Sequence, residues 1–178
     1  MNPETKTSNI GLILKKSIPW IITILIIWGI VFVIKAPNKK ATVAIGDSYP
    51  SLGQDHIDVG TKHVAYNSNP PTSGPHYATP AKWGLYQNEI ADETMIHNLE
   101  HGGIWISYKD VDADTISKIE SLAKAHTYKI IVTPRANNDA KIVLASWTRL
   151  MKLDKFDEDT ILNFIKSNLN KSPEPNAD

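Results

Sequence analysis

A run of 17 uncharged residues, IPWIITILIIWGIVFVI at Ile18–Ile34, limits the folds open to this chain more than any other feature. At 1.5 Å of rise per residue, a helix over this run and its flanks nearly spans a bilayer core of about 30 Å. A buried core helix is the alternative, but little else in the chain can cover a surface that is apolar on every side. The run therefore predicts a single transmembrane helix over residues 18–34.

Basic residues flank the apolar run on both sides, so charge alone does not orient it. A small-residue sequence, ATVA at Ala41–Ala44, lies beyond three lysines, which is a poor position for signal-peptide cleavage. We therefore favour an uncleaved signal anchor in the cell membrane over a cleaved signal peptide. Residues 1–17 are then a cytoplasmic tail, the lipid bilayer contacts residues 18–34, and the rest of the chain lies outside the cytoplasm.

The net charge of zero hides an uneven distribution of charged residues. Among 19 basic and 19 acidic residues, positions 1–40 hold six lysines and one acid, which leaves positions 41–178 with a net charge of −5. An acidic body argues against nucleic acid as a partner, because phosphate contacts need a surplus of Lys and Arg. The absence of Cys excludes disulfides, thiolate zinc sites and Cys nucleophiles.

Hydrophobic periodicity divides the body of the chain into strands and helices. We interpret residues 35–60 as a linker and domain edge, 61–170 as the folded domain and 171–178 as a flexible tail. The predicted strands are 61–66, 104–108, 128–133 and 141–147, the predicted helices are 112–126 and 157–169, and 134–140 is long enough for a hairpin loop. This order predicts an α+β fold with an antiparallel sheet and helices packed on one face.

Two histidines form the centre of the candidate site. His97 and His101 are four residues apart, which places both on the same side of a helical turn. Two imidazoles at this spacing can share a metal ion, and the alternative is that they only make hydrogen bonds in the core or at the end of a helix. Gly102 and Gly103 are expected to end the turn and release the chain into the next strand.

Further candidate ligands lie near this pair in the sequence. His76 follows a proline-rich loop, PPTSGP at Pro70–Pro75, whose stiff backbone would hold an imidazole in place, and His63 lies on the predicted strand 61–66. Met95 adds a thioether. Imidazole with thioether suits copper, whereas imidazole with carboxylate suits zinc or iron. We therefore predict a copper or zinc site whose ligands are drawn from His97, His101, His76, His63 and Met95.

Residues close to these ligands are expected to support them or to lie apart from the site. We expect Glu100, Tyr77 and Tyr108 to orient the imidazoles by hydrogen bonds. His56 and His126 are interpreted as ordinary surface residues. The leading hypothesis is a protein that binds, buffers or delivers the metal rather than catalysing a reaction.

Two other functions are compatible with the same residues. The sequence HNLEH at His97–His101 matches the H-x-x-E-H pattern of zinc peptidases, in which Glu100 would be the general base of a hydrolase. The early Gly-Gly stop and the short body fit that class badly. The third hypothesis is a non-metal interaction module of an envelope complex, with a protein partner that the sequence does not identify. It predicts that His76, His97 and His101 point away from one another.

Three motifs occur here in order behind the apolar segment: PPTSGPHY at Pro70–Tyr77, WGLY at Trp83–Tyr86 and HNLEHGG at His97–Gly103. Together they resemble an uncharacterised bacterial family of membrane-anchored domains of unknown function. The resemblance covers about residues 50–170, including Trp147. It implies no particular activity, but it draws attention to the residues of these motifs that can carry chemistry, which are His76, His97, Glu100 and His101.

Overall fold

A computed structural model describes residues 42–126 and 129–177 and, within the apolar run, Thr23, Leu25, Ile26 and Trp28. These four residues are helical and exposed, and the rest of the predicted transmembrane helix 18–34 lies outside the described residues. No helix among the described residues is long and apolar enough to cross a membrane. Thr42–Asp178 forms one compact unit, and the domain limits predicted above stay predictions.

Six strands form the main sheet, in the order β1-β8-β7-β5-β6-β4. They are β1 (Asp47–Ser48), β4 (Gly84–Leu85), β5 (Ile104–Tyr108), β6 (Ile130–Pro134), β7 (Ile142–Ser146) and β8 (Arg149–Leu153). Two further strands, β2 (His56–Ile57) and β3 (His76–Tyr77), pair with each other in a separate parallel ribbon. The predicted strands at 104–108 and 141–147 are confirmed, and β6 lies within two residues of the third.

The sheet is mixed, so the prediction of an antiparallel sheet is wrong. β6 pairs in parallel with both β5 and β4, while β7 pairs antiparallel with β5 and with β8. Residues 134–140 do not close a hairpin, because β5 lies between β6 and β7. All five residues of β5 are buried, as expected of a strand that is covered on both faces. The hairpin of this region is β7–β8, which turns at Trp147 and Thr148.

Three helices pack against the sheet: α1 (Asp92–Glu100), α2 (Ala113–His126) and α3 (Glu158–Asn168). The Asp112 carboxylate accepts a hydrogen bond from the Thr115 N–H at 2.7 Å, and the Asp157 carboxylate caps α3 by accepting from the Thr160 N–H at 2.9 Å. These contacts satisfy N–H groups that have no partner within the helix. The predicted helices at 112–126 and 157–169 are therefore confirmed to within one residue.

The helices lie on both faces of the sheet, and not on one face as predicted. Successive residues of a strand point to opposite faces, so Ile104 and Ile106 join the core beneath α2 and α3, whereas Trp105 joins the core beneath α1. In α1, Met95, Ile96 and Leu99 are fully buried against this second face. The sequence reasoning recognised only one turn of α1, and so it left this face of the sheet without a helix.

The segment 61–66 is irregular, so the strand predicted there is wrong. Its Val64 is 64 % exposed, and the His63 ring bonds to the adjacent Val64 carbonyl instead of entering the core. At the other end of the chain, the Lys129 ammonium donates hydrogen bonds to the carbonyls of Pro175 and Ala177. These bonds connect the segment predicted as a tail to the start of β6.

Candidate metal centre

The C-terminal end of α1 carries three of the candidate site residues, His97, Glu100 and His101. The helix ends where the N–H of Gly102 bonds to the Leu99 carbonyl and the N–H of Gly103 bonds to the Asn98 carbonyl. This pattern requires a left-handed conformation at the first of the two donor residues. Gly102 supplies it with φ of +83°. The prediction that the two glycines end the helical turn is confirmed.

The proline-rich loop before β3 positions His76. Its residues 71–74 are buried, and its backbone is tied to the segment before β2 by bonds from the Gly74 N–H to the Gly53 carbonyl and from the His76 N–H to the Asp55 carbonyl. The Tyr66 hydroxyl donates to the Pro75 carbonyl at 2.6 Å. The stiffness that the prolines indicate is therefore reinforced by contacts from two other segments.

The β2–β3 ribbon places a second imidazole at the site. His56 and His76 are directly opposite each other in the parallel pair. The His56 ring stacks on the His97 ring at 5.0 Å between centroids and 4° between planes, and the His76 ring meets both edge-on at 4.9 and 5.1 Å. Three imidazoles from three separate segments, β2, β3 and α1, therefore converge.

Backbone carbonyls determine which ring nitrogen of His76 and His97 faces the cluster. His76 Nδ1 lies 2.8 Å from the Gly74 carbonyl, and His97 Nδ1 lies 2.7 Å from the Tyr77 carbonyl. Because a carbonyl only accepts, each Nδ1 must carry the proton. In a neutral ring the Nε2 atom then carries the lone pair, which is the form that binds a metal ion.

The Glu100 carboxylate lies at the centre of these rings and is only 2 % exposed. Its Oε2 is 3.0 Å from His76 Nε2 and 3.7 Å from His56 Nε2, and its Oε1 accepts from the Gln54 amide at 2.6 Å. With its proton on Nδ1, a neutral His76 directs the lone pair of Nε2 at the Glu100 carboxylate oxygen, and two lone pairs repel each other. The contact is favourable only when a cation, either a proton or a metal ion, lies between the two atoms. Around a tetrahedral zinc ion, ligand atoms lie about 3.3 Å apart, close to both of these distances.

Two groups of side chains in the described part of the chain have the composition and spacing of metal ligands. In the first, His56, His76, His97 and Glu100 each offer one ligand atom, and these atoms lie within 4.8 Å of one another. In the second, Glu100, His101 and Glu174 do the same. A His/Glu cluster that can bind a metal ion is therefore present.

Burial favours the neutral form of two of these imidazoles. It lowers the pKa of His97 below the ordinary histidine value, and nearby imidazoles lower it further, although the bond to the Tyr77 carbonyl acts in the opposite direction. Burial likewise lowers the pKa of His101, against the attraction of Glu174 and Glu100. Both rings therefore remain neutral to lower pH than a histidine in water.

The structure brings together some of the predicted site residues and separates others. His76, His97 and Glu100 form one group, and His101 Nε2 lies 3.0 Å from His97 Nε2. Tyr77 contributes its backbone carbonyl. The remaining predicted residues belong to other surroundings: His63 pairs with Glu93 at 3.3 Å, Met95 is buried beneath α1, and Tyr108 lies in the core on the opposite face of the sheet.

Sequence reasoning missed three residues of the cluster. His56 was interpreted as an ordinary surface residue, and its side chain is indeed 52 % exposed, but one of its ring nitrogens faces Glu100. Gln54 and Glu174 were not singled out. Pairing of two-residue strands brings His56 to His76, and no local pattern in the sequence indicates such a pairing.

Comparison with curated proteins and with solved structures gives no match. The model of one protein family, described as "Protein of unknown function (DUF3105)", matches residues 56–178, which is more than half of the chain. The match confirms the resemblance to a family of unknown function. It begins at His56 and includes Glu174, so every ligand candidate of both groups lies within it. The chain therefore belongs to the DUF3105 family.

Proposed function

We propose that this protein binds a transition-metal ion, zinc or copper, through His56, His76, His97 and Glu100, and that it buffers or delivers the ion rather than catalysing a reaction. The observation that carries the proposal is the convergence of four ligand atoms within 4.8 Å, with the Nδ1 protons of His76 and His97 already bound by carbonyls. Such outer contacts orient imidazole ligands in metal sites.

The donor set supports Zn²⁺ or Cu²⁺ over Cu⁺. Imidazole and carboxylate are ligands for the divalent ions, whereas Cu⁺ prefers sulfur. The one nearby thioether, Met95, is fully buried in the core beneath α1 and is not a member of either ligand group among the described residues. The side chain of His56 is 52 % exposed, whereas His76 is fully buried. An ion can therefore enter and leave on the His56 side.

We further propose that the site works outside the cytoplasm, on a domain held at the cell membrane by residues 18–34. The support for this is the uncharged run of 17 residues and its flanking lysines. A membrane-held imidazole site in a chain without Cys suits a compartment in which thiolate ligands would be oxidised.

The contacts of Glu100 favour binding over hydrolysis. A general base needs a carboxylate that is free to take a proton from water, but the two oxygens of Glu100 already lie against Gln54 and His76. The ring separations of 4.5–5.1 Å also argue against an interaction module whose histidines point apart.

The test is zinc binding by the full-length chain purified in detergent, measured by isothermal titration. Wild type is expected to bind zinc. His76→Gln and His97→Gln are each expected to lower the affinity for zinc at this site by more than about 100-fold, because loss of a ligand costs more than loss of its supporting contact. His63→Gln is the matched control and is expected to bind as wild type does. Unchanged affinity in both site variants, or loss of binding in His63→Gln alone, would overturn the proposal.

A further inference from the structure

His101 and Glu174 are not needed for the first ion, yet they lie beside it. His101 is only 7 % exposed, and its Nδ1 is buried with no hydrogen-bond partner among the described residues. Its Nε2 is 3.9 Å from Glu174 Oε2 and 3.0 Å from His97 Nε2. The Nε2 atom of His101 is therefore the nitrogen that faces the carboxylate of Glu174, and it is the atom that could bind an ion there.

The C-terminal segment is fastened so that Glu174 stays at this position. The Glu174 N–H donates to the Glu100 carbonyl at 3.1 Å. The Lys129 ammonium, which is buried, donates to the His101 carbonyl and to the carbonyls of Pro175 and Ala177. One cation thus joins the end of α1 to the segment that carries Glu174, and both carboxylates are held near the same imidazole.

We propose that a second divalent ion binds His101, Glu174 and Glu100, and that the Glu100 carboxylate bridges it to the first ion. The inference rests on the proposed function, because Glu100 is a member of both ligand groups. A carboxylate has about four lone-pair positions on its two oxygens, so Glu100 can bind two ions while it still accepts from Gln54. Paired metal ions in proteins lie about 3.5–4 Å apart, a separation that a bridging carboxylate spans.

The two ions have different ligand surroundings, which makes them separable. The first has three imidazoles and one carboxylate, and the second has one imidazole and two carboxylates. We expect the first ion to bind more tightly, because it has four ligand side chains rather than three. The second ion would bind His101 through Nε2, the nitrogen that faces Glu174, and would offset the charge of Glu174.

The experiment measures bound zinc per chain by elemental analysis after equilibrium dialysis of the full-length protein in detergent against Zn²⁺ alone. Wild type is expected to bind two ions and Glu174→Gln one, with the affinity of the second ion lowered by more than about 100-fold. The Glu174 side chain is 54 % exposed, so its substitution is not expected to affect folding. Glu158→Gln, the same change at an exposed position at the start of α3, is the matched control and should bind two.

The stoichiometry separates failure of this inference from failure of the proposed function. One ion per wild-type chain, or two ions in Glu174→Gln, would overturn the second site and leave the first intact. No ion in the wild type would overturn both. Loss of both ions in Glu100→Gln, in a variant that still unfolds cooperatively, is the result expected of a bridging carboxylate.

Discussion

His76 and His97 each have a backbone carbonyl that determines the nitrogen they present to the cluster. In both rings the proton on Nδ1 is held by a carbonyl, so Nε2 faces the other ligands. The Nδ1 of His101 has no such contact within the part of the chain that the structure describes. The histidines of the cluster therefore differ in how far they are oriented before an ion arrives, and preorientation lowers the entropy cost of binding.

Gly102 is required both for its backbone conformation and for the space it leaves. A Cβ there would lie 2.8 Å from the Asn170 Cα, and φ is +83°. A left-handed alanine costs about 1–2 kcal/mol. We predict that Gly102→Ala lowers the free energy of unfolding by more than this amount, as measured by urea denaturation. Gly60 has the same φ with no atom near such a Cβ, so Gly60→Ala should show the conformational cost alone. Equal losses in the two variants would contradict this account.

The lowered pKa values of His97 and His101 predict how the metal-free chain responds to acid. The unfolded chain binds protons near the ordinary histidine pKa of about 6.5, whereas the folded chain binds them only at lower pH. The contribution of these two neutral rings to the free energy of unfolding is therefore fully present above a pH of about 6.5 and is lost as the pH falls below it. Urea denaturation from pH 7.5 to 5.5 measures this loss. The double variant His97→Gln/His101→Gln should respond less, and His126→Gln, an exposed control, should respond as wild type does. A stability that rises toward pH 5.5 would contradict the prediction.

The site was predictable in part from single residues. The four-residue spacing of His97 and His101 on a helix and the position of His76 after stiff prolines are local features. In the structure the His97 ring contacts both the His76 ring and the His101 ring. His56 and Glu174 reach the cluster only through contacts with distant parts of the chain. Met95 and His63 were expected as ligands because they are near in sequence, which says nothing about the direction of a side chain.

At the scale of elements, Arg135 connects the start of α1 to Asn69, the residue directly before the proline-rich loop. Its guanidinium makes two hydrogen bonds to the Asp92 carboxylate at 2.7 and 2.8 Å and a third to the Asn69 side chain at 2.7 Å. Arg135 is 7 % exposed. The buried Arg135 side chain therefore fixes the position of the helix that carries His97 relative to the loop that precedes His76.

We predict that Arg135→Ala lowers the free energy of unfolding by about 3–5 kcal/mol, because it leaves a partly buried carboxylate without its partner, as measured by chemical denaturation. It should also weaken zinc binding, since α1 and the loop lose their common contact. Lys152→Ala is the control: it removes an exposed pair with Asp139 at 2.7 Å, for which about 0.2–1 kcal/mol is expected. A loss in Arg135→Ala no larger than in the control would contradict the assigned role.

The elements themselves were predicted where the pattern was long and capped. The strand 104–108 and the two helices have clear periodicity. The helices also have N-terminal caps, which are Asp112 and Asp157. The two-residue strands β1 to β4 have no such signal, because two residues show no period. The strand β6, which is the parallel partner of β5, was mistaken for half of a hairpin with β7, because strands that are close in sequence often pair antiparallel. The helix α2 between β5 and β6 was predicted, but it was not recognised as the crossover that joins two parallel strands.

At the scale of the whole molecule, the two faces of the sheet have different tasks. One face is covered by α2 and α3 and holds an apolar core, and the other is covered by α1, whose C-terminal end carries the cluster. The ligands come from β2, β3, α1 and the C-terminal segment, which are far apart in the sequence. Folding of residues 56–174 is therefore needed before the ligands meet, and metal binding in turn stabilises the folded state.

The most direct test of the central claim is zinc X-ray absorption on the full-length chain loaded with one equivalent of Zn²⁺. We predict a first shell of nitrogen and oxygen at about 2.0–2.1 Å, with the outer-shell scattering of three imidazole rings. A sulfur neighbour at about 2.3 Å, or a shell of oxygen without imidazole scattering, would contradict the assignment of His56, His76, His97 and Glu100 as the ligands.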